Sequence, residues 1–254
     1  MTGFEDHDLS SDAFLSGRLS LLQPRKGYRA GIDPILLAAA VPAKPGQSVL
    51  DLGCGAGAAI LALAARVPEL TVTGVEVQPG YAQLAQRNAE RNAIALDVVQ
   101  SDLVALPDDL KQRQFDHVIA NPPYFDPNRR SAATDRGRET ALAEQTPLET
   151  WIDVAARRLA PKGMLHMIHR IERLPDVLAA CGSRVGALEI LPLCARQGKA
   201  AHLMLLRARK GGRADFRLHA PLILHEGTRH DGDRDSYQPA ISAVLRDGEL
   251  LRWP

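Results

Sequence analysis

The ten residues Ser48-Val49-Leu50-Asp51-Leu52-Gly53-Cys54-Gly55-Ala56-Gly57 decide the fold. The first five, SVLDL, are a short apolar run of strand type that stops at a glycine-rich turn. AAILALAARV (58–67) follows at once and has helical composition. Glycines at such a junction let the backbone turn sharply and let a ligand lie against it with no Cβ atoms in the way. Gly53, Gly55 and Ala58 also satisfy a loose G-x-G-x-x-A dinucleotide pattern. Alone the pattern decides little, because a strand, a glycine turn and a helix can be a mere packing turn.

Outward from this stretch, strands and helices take turns. TVTGVEV (71–77) is β-rich, and PGYAQLAQRNAERNA (79–93) is helical with Pro79 near its start. ALDVVQSD (95–102) reads as a third strand and FDHVIANPP (115–123) as a fourth. Thr146-Pro147-Leu148-Glu149 reads as a capping box with Pro at N1, opening the helix LETWIDVAARRLA. MLHMIHR (164–170) is a fifth strand after the turn PKG. A helix (RLPDVLAACG) and two late strands, VGALEILPL (185–193) and AAHLMLLRAR (200–209), complete the core. The alternation implies a Rossmann-like α/β domain, a seven-stranded and mostly parallel sheet with helices on both faces. Its ligand crevice lies beyond the carboxyl ends of the strands, near the topological switch point.

The expected organisation is an N-terminal extension (1–45), a catalytic core (46–210) and a C-terminal appendage (211–254) packed on the same domain. In the extension, Asp33 and Pro34 resemble an N-cap and first helical position before ILLAAAV. The appendage starts at the break KGGRAD and offers a strand (RLHAPLILHE), a polar loop and a short helix (QPAISAVLRDG). Residues 125–145 form a long polar connection of the sort that is functional or mobile.

Composition bounds the partners. The 254 residues carry a net charge of +1, so a polyanion must be held by a local basic patch, not a uniform coat. Three cysteines, odd in number and without a C-x-x-C pair, read as reduced thiols filling small core volumes. The leader MTGFEDHDLSSD is acidic and lacks the apolar stretch of a signal peptide. No apolar run approaches the roughly 20 residues of a membrane span. A soluble cytoplasmic protein without a metal site is expected; His166 and His169 read as packed or exposed strand residues.

The strand ends carry the chemistry. Glu76 ends the second strand about 20 residues beyond the glycines, where a carboxylate accepts both ribose hydroxyls of an adenosine. Asp102 ends the third strand, in reach of an adenine amino group. Asp51 precedes the glycines, where its charge favours an ammonium and disfavours a pyrophosphate. A ligand with an amino acid at one end and adenosine at the other fits this layout better than NAD does. Singly, each acid could be an ordinary solvated turn residue, and Cys54 reads as a small filler between glycines.

Asn121-Pro122-Pro123-Tyr124 directly follows the fourth strand. Two prolines fix φ, remove two N–H donors and force an extended backbone. What remains is rich in acceptors, the Asn121 side-chain oxygen and the Pro122 carbonyl, with the aromatic face of Tyr124 beside them. That combination suits an –NH2 on a planar system. Two acceptors take its two hydrogens while stacking aligns the nitrogen for transfer. The bland alternative is a Pro-Pro turn that only ends a strand.

DLGCGAG, Glu76, Asp102 and NPPY together resemble a class I methyltransferase of the amino-group-modifying branch, over roughly residues 45–210. The lead-in GRLSLLQPRKGYRAGIDPILLAAA is similar to that of the bacterial tRNA1(Val) (adenine-37-N6)-methyltransferases. The resemblance implies S-adenosylmethionine as cofactor, held by Asp51, Gly53, Gly55, Gly57, Glu76, Asp102 and Asn121. It implies Asn121, Pro122 and Tyr124 as the catalytic grip on a target adenine, with Tyr28, Arg29 and Asp33 closing the site. Arg196-Gln197-Gly198-Lys199 also resembles a turn of that family. Arg18, Arg25, Lys26 and Arg29 occur without an intervening acid, and Arg129 and Arg130 follow NPPY; such residues either contact phosphates around a flipped base in RNA, which the resemblance implies is tRNA, or are ordinary solvated loop arginines. The alternatives are a protein glutamine N5-methyltransferase, an rRNA guanine N2-methyltransferase and a catalytically silent RNA-binding module.

Overall fold

The structure is a computed structural model that describes residues 3–124, 146–229 and 236–254. The expected connection 125–145, with Arg129 and Arg130, lies outside the described residues.

Seven strands form the centre: β3 (Ser48–Leu52), β4 (Thr71–Glu76), β5 (Leu96–Gln100), β6 (Phe115–Ala120), β7 (Leu159–Arg170), β8 (Gly186–Cys194) and β9 (Ala201–Arg209). They stand in the order β8-β9-β7-β6-β3-β4-β5. From β5 to β7 every pairing is parallel, whereas β9 runs antiparallel between β7 and β8. The chain builds outward from β3 through β4 to β5, then returns to place β6 on the other side of β3. The switch point therefore lies between the carboxyl ends of β3 and β6, where DLGCGAG and NPPY begin.

The full sheet has nine strands, not seven. β10 (Arg217–Leu218) and β11 (Leu222–Ile223) both pair parallel with β8. The single late strand expected over 217–226 is divided around Pro221, which has no N–H to give a ladder. Its two pieces cover the outer side of β8, which would otherwise be a bare sheet edge.

Strand alternation sorts the core into two layers. Val49 and Ile119 face the layer of α1 (Asp33–Ala40), α2 (Ala58–Arg66) and α3 (Pro79–Arg91). Leu50, Leu52, Val118 and Ala120 face the layer of α5 (Leu148–Arg158) and α6 (Leu174–Cys181), the short α4 (Asp108–Gln112) lying on that side through Leu110. α3 shows why such a helix docks: Tyr81, Leu84, Ala85, Asn88 and Ala89 recur at three- and four-residue spacing and are buried. Leu36, Leu61 and Leu84 are fully buried, and truncating any of them to Ala would cost about 2–5 kcal/mol. All three cysteines are buried free thiols.

The N-terminal residues hold a hairpin that the sequence did not announce, β1 (Leu9–Phe14) paired antiparallel with β2 (Leu19–Pro24). Two amides, Asn88 of α3 and its C-cap Asn92, bind β2 as a neighbouring strand would. Leu22 N–H donates to Asn88 Oδ1 (2.7 Å) and Ser20 N–H to Asn92 Oδ1 (2.9 Å), while the two Nδ2 atoms donate back to the carbonyls of the same residues. The C-terminal residues return to the α1 layer: Ile241, Val244 and Leu251 join its core, and Leu251 N–H donates to the Ala39 carbonyl.

Three local expectations fail. Asp33 is the first residue of α1, not its cap; Ile32 occupies that place with no side-chain bond. Pro147 caps α5 with no side-chain bond either, so Thr146 and Glu149 form no capping box. β7 begins at Leu159 and runs through the expected PKG turn, where a register shift against β6 absorbs it. The late helix is one α turn, Pro239–Ser242, continued as a π turn over Ala243–Asp247.

Candidate active site

Register places the two motifs side by side. Leu52 pairs with Val75 on one flank and Ala120 on the other. One residue further on, Gly53 lies between Glu76 and Asn121. Gly53, Gly55 and Gly57 have φ of +64°, +55° and +86°, a left-handed region that side chains resist. They differ in what surrounds them. A Cβ on Gly53 would meet the Trp151 ring at 2.5 Å, whereas one on Gly55 would meet nothing within 4 Å. Gly53 is therefore required by packing, and Gly55 opens onto the crevice.

Two carboxylates lie beneath this loop. Asp51 is 2 % exposed, and its Oδ2 has no hydrogen-bond partner among the described residues. Burial, with the nearby charge of Glu76, pushes its pKa well above the ordinary carboxylate range. Its unpaired oxygen is an acceptor that a cationic donor, such as an ammonium, would satisfy and hold ionised. Glu76 is better satisfied: Oε2 accepts from Gly55 N–H (2.9 Å) and Oε1 from Gln78 N–H (2.8 Å). Burial raises its pKa as well, while the donated N–H groups pull the other way. Each oxygen keeps acceptor capacity for a further donor.

Asp102 stands apart from that pair. It caps a short helical turn, its Oδ1 accepting from Val104 N–H at 3.1 Å, and it is exposed. Val77 and Val104, 40 % and 70 % exposed, follow Glu76 and Asp102 closely and leave apolar surface open beside these two acids. Sequence reasoning passed over both, although an apolar residue just after a strand-end acid is a signal that could have found them.

The other half of the site is assembled from distant segments. Tyr124 Oη donates to Asp33 Oδ2 at 2.7 Å. Asn121 Nδ2 lies 3.5 Å from Tyr28 Oη, which accepts from it. Tyr28 is in turn held by Tyr81, whose hydroxyl accepts from Tyr28 N–H (2.9 Å) and donates to Tyr28 C=O (3.2 Å). Although Tyr28 is 49 % exposed, desolvation of its hydroxyl end, with the carboxylates of Asp33 and Asp51, pushes the phenol up to about 12. Burial and Asp33 raise Tyr124 further, so both hydroxyls keep their protons at neutral pH. Pro122 is buried, and Pro123 is exposed beside it.

Two residues missed in the sequence complete this half. The His169 ring lies 5.4 Å from that of Tyr124, and the Arg170 guanidinium lies 5.7 Å from the same ring's centre. His169 is 1 % exposed; its Nδ1 accepts from Arg170 N–H, and burial lowers its pKa to about 4. It is therefore neutral. His166 faces elsewhere, its Nε2 3.2 Å from His117 Nδ1 in the core.

The basic lead-in is more committed than its sequence suggests. Arg29 pairs with Asp12 (2.6 Å) and donates to Ser10 Oγ and the Pro24 carbonyl. Arg18 donates to the carbonyls of Leu15 and Asp247. Both arginines fasten the hairpin, while Arg25 and Lys26 remain exposed.

The donor set fits S-adenosylmethionine. The orphaned Asp51 oxygen is an acceptor that the ligand's ammonium satisfies, Gly55 leaves room where a Cβ would intrude, and Glu76 keeps acceptor capacity for ribose hydroxyls.

Comparison with known proteins agrees. The family model described as "Methyltransferase small domain" matches residues 32–179, which include every strand-end residue named above. The tRNA1(Val) (adenine(37)-N6)-methyltransferase of Porphyromonas gingivalis is 35% identical over 66% of this chain and 69% of its own length. The enzyme of the same name from Yersinia pseudotuberculosis is 29% identical over 94% of this chain and 92% of its own. Among solved structures, a protein described as a predicted O-methyltransferase, Atu636 from Agrobacterium tumefaciens, superposes with a TM-score of 0.68 at 31% identity, covering 85% of this chain and 95% of that one. The chain belongs to the methyltransferase small domain family, alongside the tRNA1(Val) (adenine(37)-N6)-methyltransferases, and is a class I methyltransferase that uses S-adenosylmethionine.

Proposed function

We propose that this enzyme methylates the exocyclic N6 of an adenine in tRNA, at anticodon-loop position 37, by direct in-line transfer. The observation that carries the nitrogen acceptor is the Asn121–Tyr124 turn. Asn121 spends its Nδ2 on Tyr28, which leaves its Oδ1 to act as an acceptor. The Pro122 carbonyl is a second acceptor. Together they bind the two hydrogens of an amino group and favour the pyramidal nitrogen that attack requires. Tyr124, tethered to Asp33 and flanked by His169 and Arg170, offers a ring of fixed orientation for the base to stack on. The bound cofactor supplies the electrophilic methyl group.

Tyr28 and Asp33 both come from the N-terminal residues and touch the Asn121–Tyr124 turn, which supports a division into an extension (1–45) covering the site, the methyltransferase domain (46–210) and an appendage (211–254) packed on the same domain. The named substrate of the curated relatives supports the choice of tRNA. Arg29 enters RNA binding only by leaving Asp12, so we assign it first to the hairpin; Arg129 and Arg130 keep their proposed phosphate role.

The test is transfer of labelled methyl to total tRNA, total rRNA and a protein lysate, followed by nucleoside analysis. N6-methyladenosine in tRNA is the expected product. Label in protein would move the reading to a glutamine amide, and N2-methylguanosine in rRNA to a guanine.

A further inference from the structure

Across the sheet from Asn121 lies a basic hollow that the reaction itself does not use. It occupies about 470 Å³ and is lined by Ala195, Arg196, Lys199, Ala200, His202 with Thr228 and Arg229. One wall is the turn joining β8 to β9; the other is the segment that follows β11. The walls are fastened together. Arg196 is 8 % exposed and donates to the Glu226 carbonyl and to Ser236 Oγ, while His225 N–H donates to the Ala195 carbonyl. With Arg196 anchoring the wall, Lys199 and Arg229 are left exposed on it. The described lining contributes cations and no carboxylate; residues 230–235 lie outside the described part and outside this balance.

Position gives the hollow its meaning. Arg170 at the end of β7 pairs with Leu203 of β9, and Leu203 pairs with Leu193 near the end of β8. The β8–β9 turn therefore opens at the same end of the sheet as Asn121. Three strand spacings separate β6 from β8, about 14 Å. A single strand of RNA whose target base is turned into the Asn121–Tyr124 site crosses that distance in a few nucleotides.

We propose that this hollow binds a backbone phosphate of the RNA substrate, a few nucleotides from the methylated base, through Lys199 and Arg229 on a wall held by Arg196. The proposal rests on the reading of the enzyme as an RNA methyltransferase. The contact is electrostatic and fixes the register of the strand without reading its sequence.

The test compares wild type, the double variant Lys199→Ala/Arg229→Ala, and Lys162→Ala at the opposite end of the sheet. Each is assayed for binding and methylation of a tRNA transcript across a series of salt concentrations. Loss of one phosphate contact lowers the slope of log affinity against log salt by about 0.7–0.9. The double variant is expected to show that fall and a rise in RNA KM of roughly three- to tenfold, with kcat at saturating RNA and cofactor affinity close to wild type. Lys162→Ala is expected to leave the slope unchanged. An active wild type with a double variant of unaltered slope and KM overturns the phosphate site alone. A fall in cofactor affinity would assign these residues to the fold, and also overturns it. A wild type that methylates protein and no RNA overturns the underlying reading, and the hollow's role with it.

Discussion

The two halves of the crevice are built by different means. The half proposed for the cofactor draws Asp51, the glycines, Glu76 and Asp102 from 52 consecutive residues, and backbone conformation holds it: positive-φ glycines, and N–H groups donated to Glu76. The half proposed for the acceptor draws Tyr28, Asp33, Asn121, Tyr124, His169 and Arg170 from three separate segments, and side chains bonding to side chains hold it. A site made from backbone tolerates little change at its glycines, since a Cβ on Gly53 would meet the Trp151 ring at 2.5 Å. A site made from paired side chains is coupled, so a change in one member reaches its partner.

The sharpest break between the halves should come from Asn121→Ala. Removing the oxygen proposed to hold the amino group, whose hydrogens become more acidic as the nitrogen gains charge, should lower kcat about 10²–10³-fold, as loss of a transition-state hydrogen bond does elsewhere. Cofactor affinity, measured by calorimetry, should stay within a few-fold. A comparable loss of cofactor binding would place Asn121 in the cofactor half.

Glu76→Ala is the mirror experiment. A buried carboxylate that bonds the ribose contributes about 1.5–3 kcal/mol, so cofactor Kd should rise roughly 10–150-fold. Because Gly55 N–H and Gln78 N–H would also lose their acceptor, some loss of Tm is expected with it. Unchanged affinity would remove Glu76 from the site.

Coupling within the acceptor half is measured by a cycle of Tyr124→Phe, Asp33→Asn and the double variant. Their 2.7 Å bond joins a hydroxyl to a charged group. The expected coupling is about 1 kcal/mol in kcat/KM toward RNA, with cofactor affinity unaffected. Additive effects would mean that Asp33 does not orient the ring.

The same contrast explains what the sequence disclosed. The cofactor half was legible because its determinants are local: glycines where φ must be positive, and acids where strands stop. Asn121 and Tyr124 were legible because two prolines mark their turn. Tyr28 and Asp33 came through the family resemblance, but their partners did not, since nothing local links residue 33 to residue 124. Asp33 was read as a helix cap because Asp before Pro is a capping signal; the tertiary bond to Tyr124 took the carboxylate instead. His169 and Arg170 were hidden in an apolar strand. The hairpin Leu9–Pro24 was hard to read because β1 buries only Leu9 and because the buried face of β2 alternates Leu19 and Leu21 with the polar Gln23, whose amide is satisfied by Asp12 and Ala30. The divided strand at 217–223 was half legible: its β character was apparent, while membership of the main sheet depended on the edge of β8.

Tyr28→Phe should give the smallest effect. Its hydroxyl accepts from Asn121 over 3.5 Å, a long bond at the limit of hydrogen-bonding geometry, and Tyr81 holds the Tyr28 backbone whether or not the hydroxyl is present. Loss of the hydroxyl frees the amide to rotate, so kcat should fall only a few-fold, about 0.5–1 kcal/mol. The pH dependence carries a second signature. The folded phenol titrates near 12 against an ordinary value of 10.0, so the folded state holds its proton more tightly than the unfolded chain. Whatever stability this contributes is fully present below pH 10 and is lost as pH rises from 10 through 12. Tyr28→Phe should therefore leave Tm unchanged in relative terms at pH 7 to 9 and flatten its decline above pH 10. A variant as pH-sensitive as wild type in that window would detach the phenol from the carboxylates of Asp33 and Asp51, and with them from the acceptor half of the crevice.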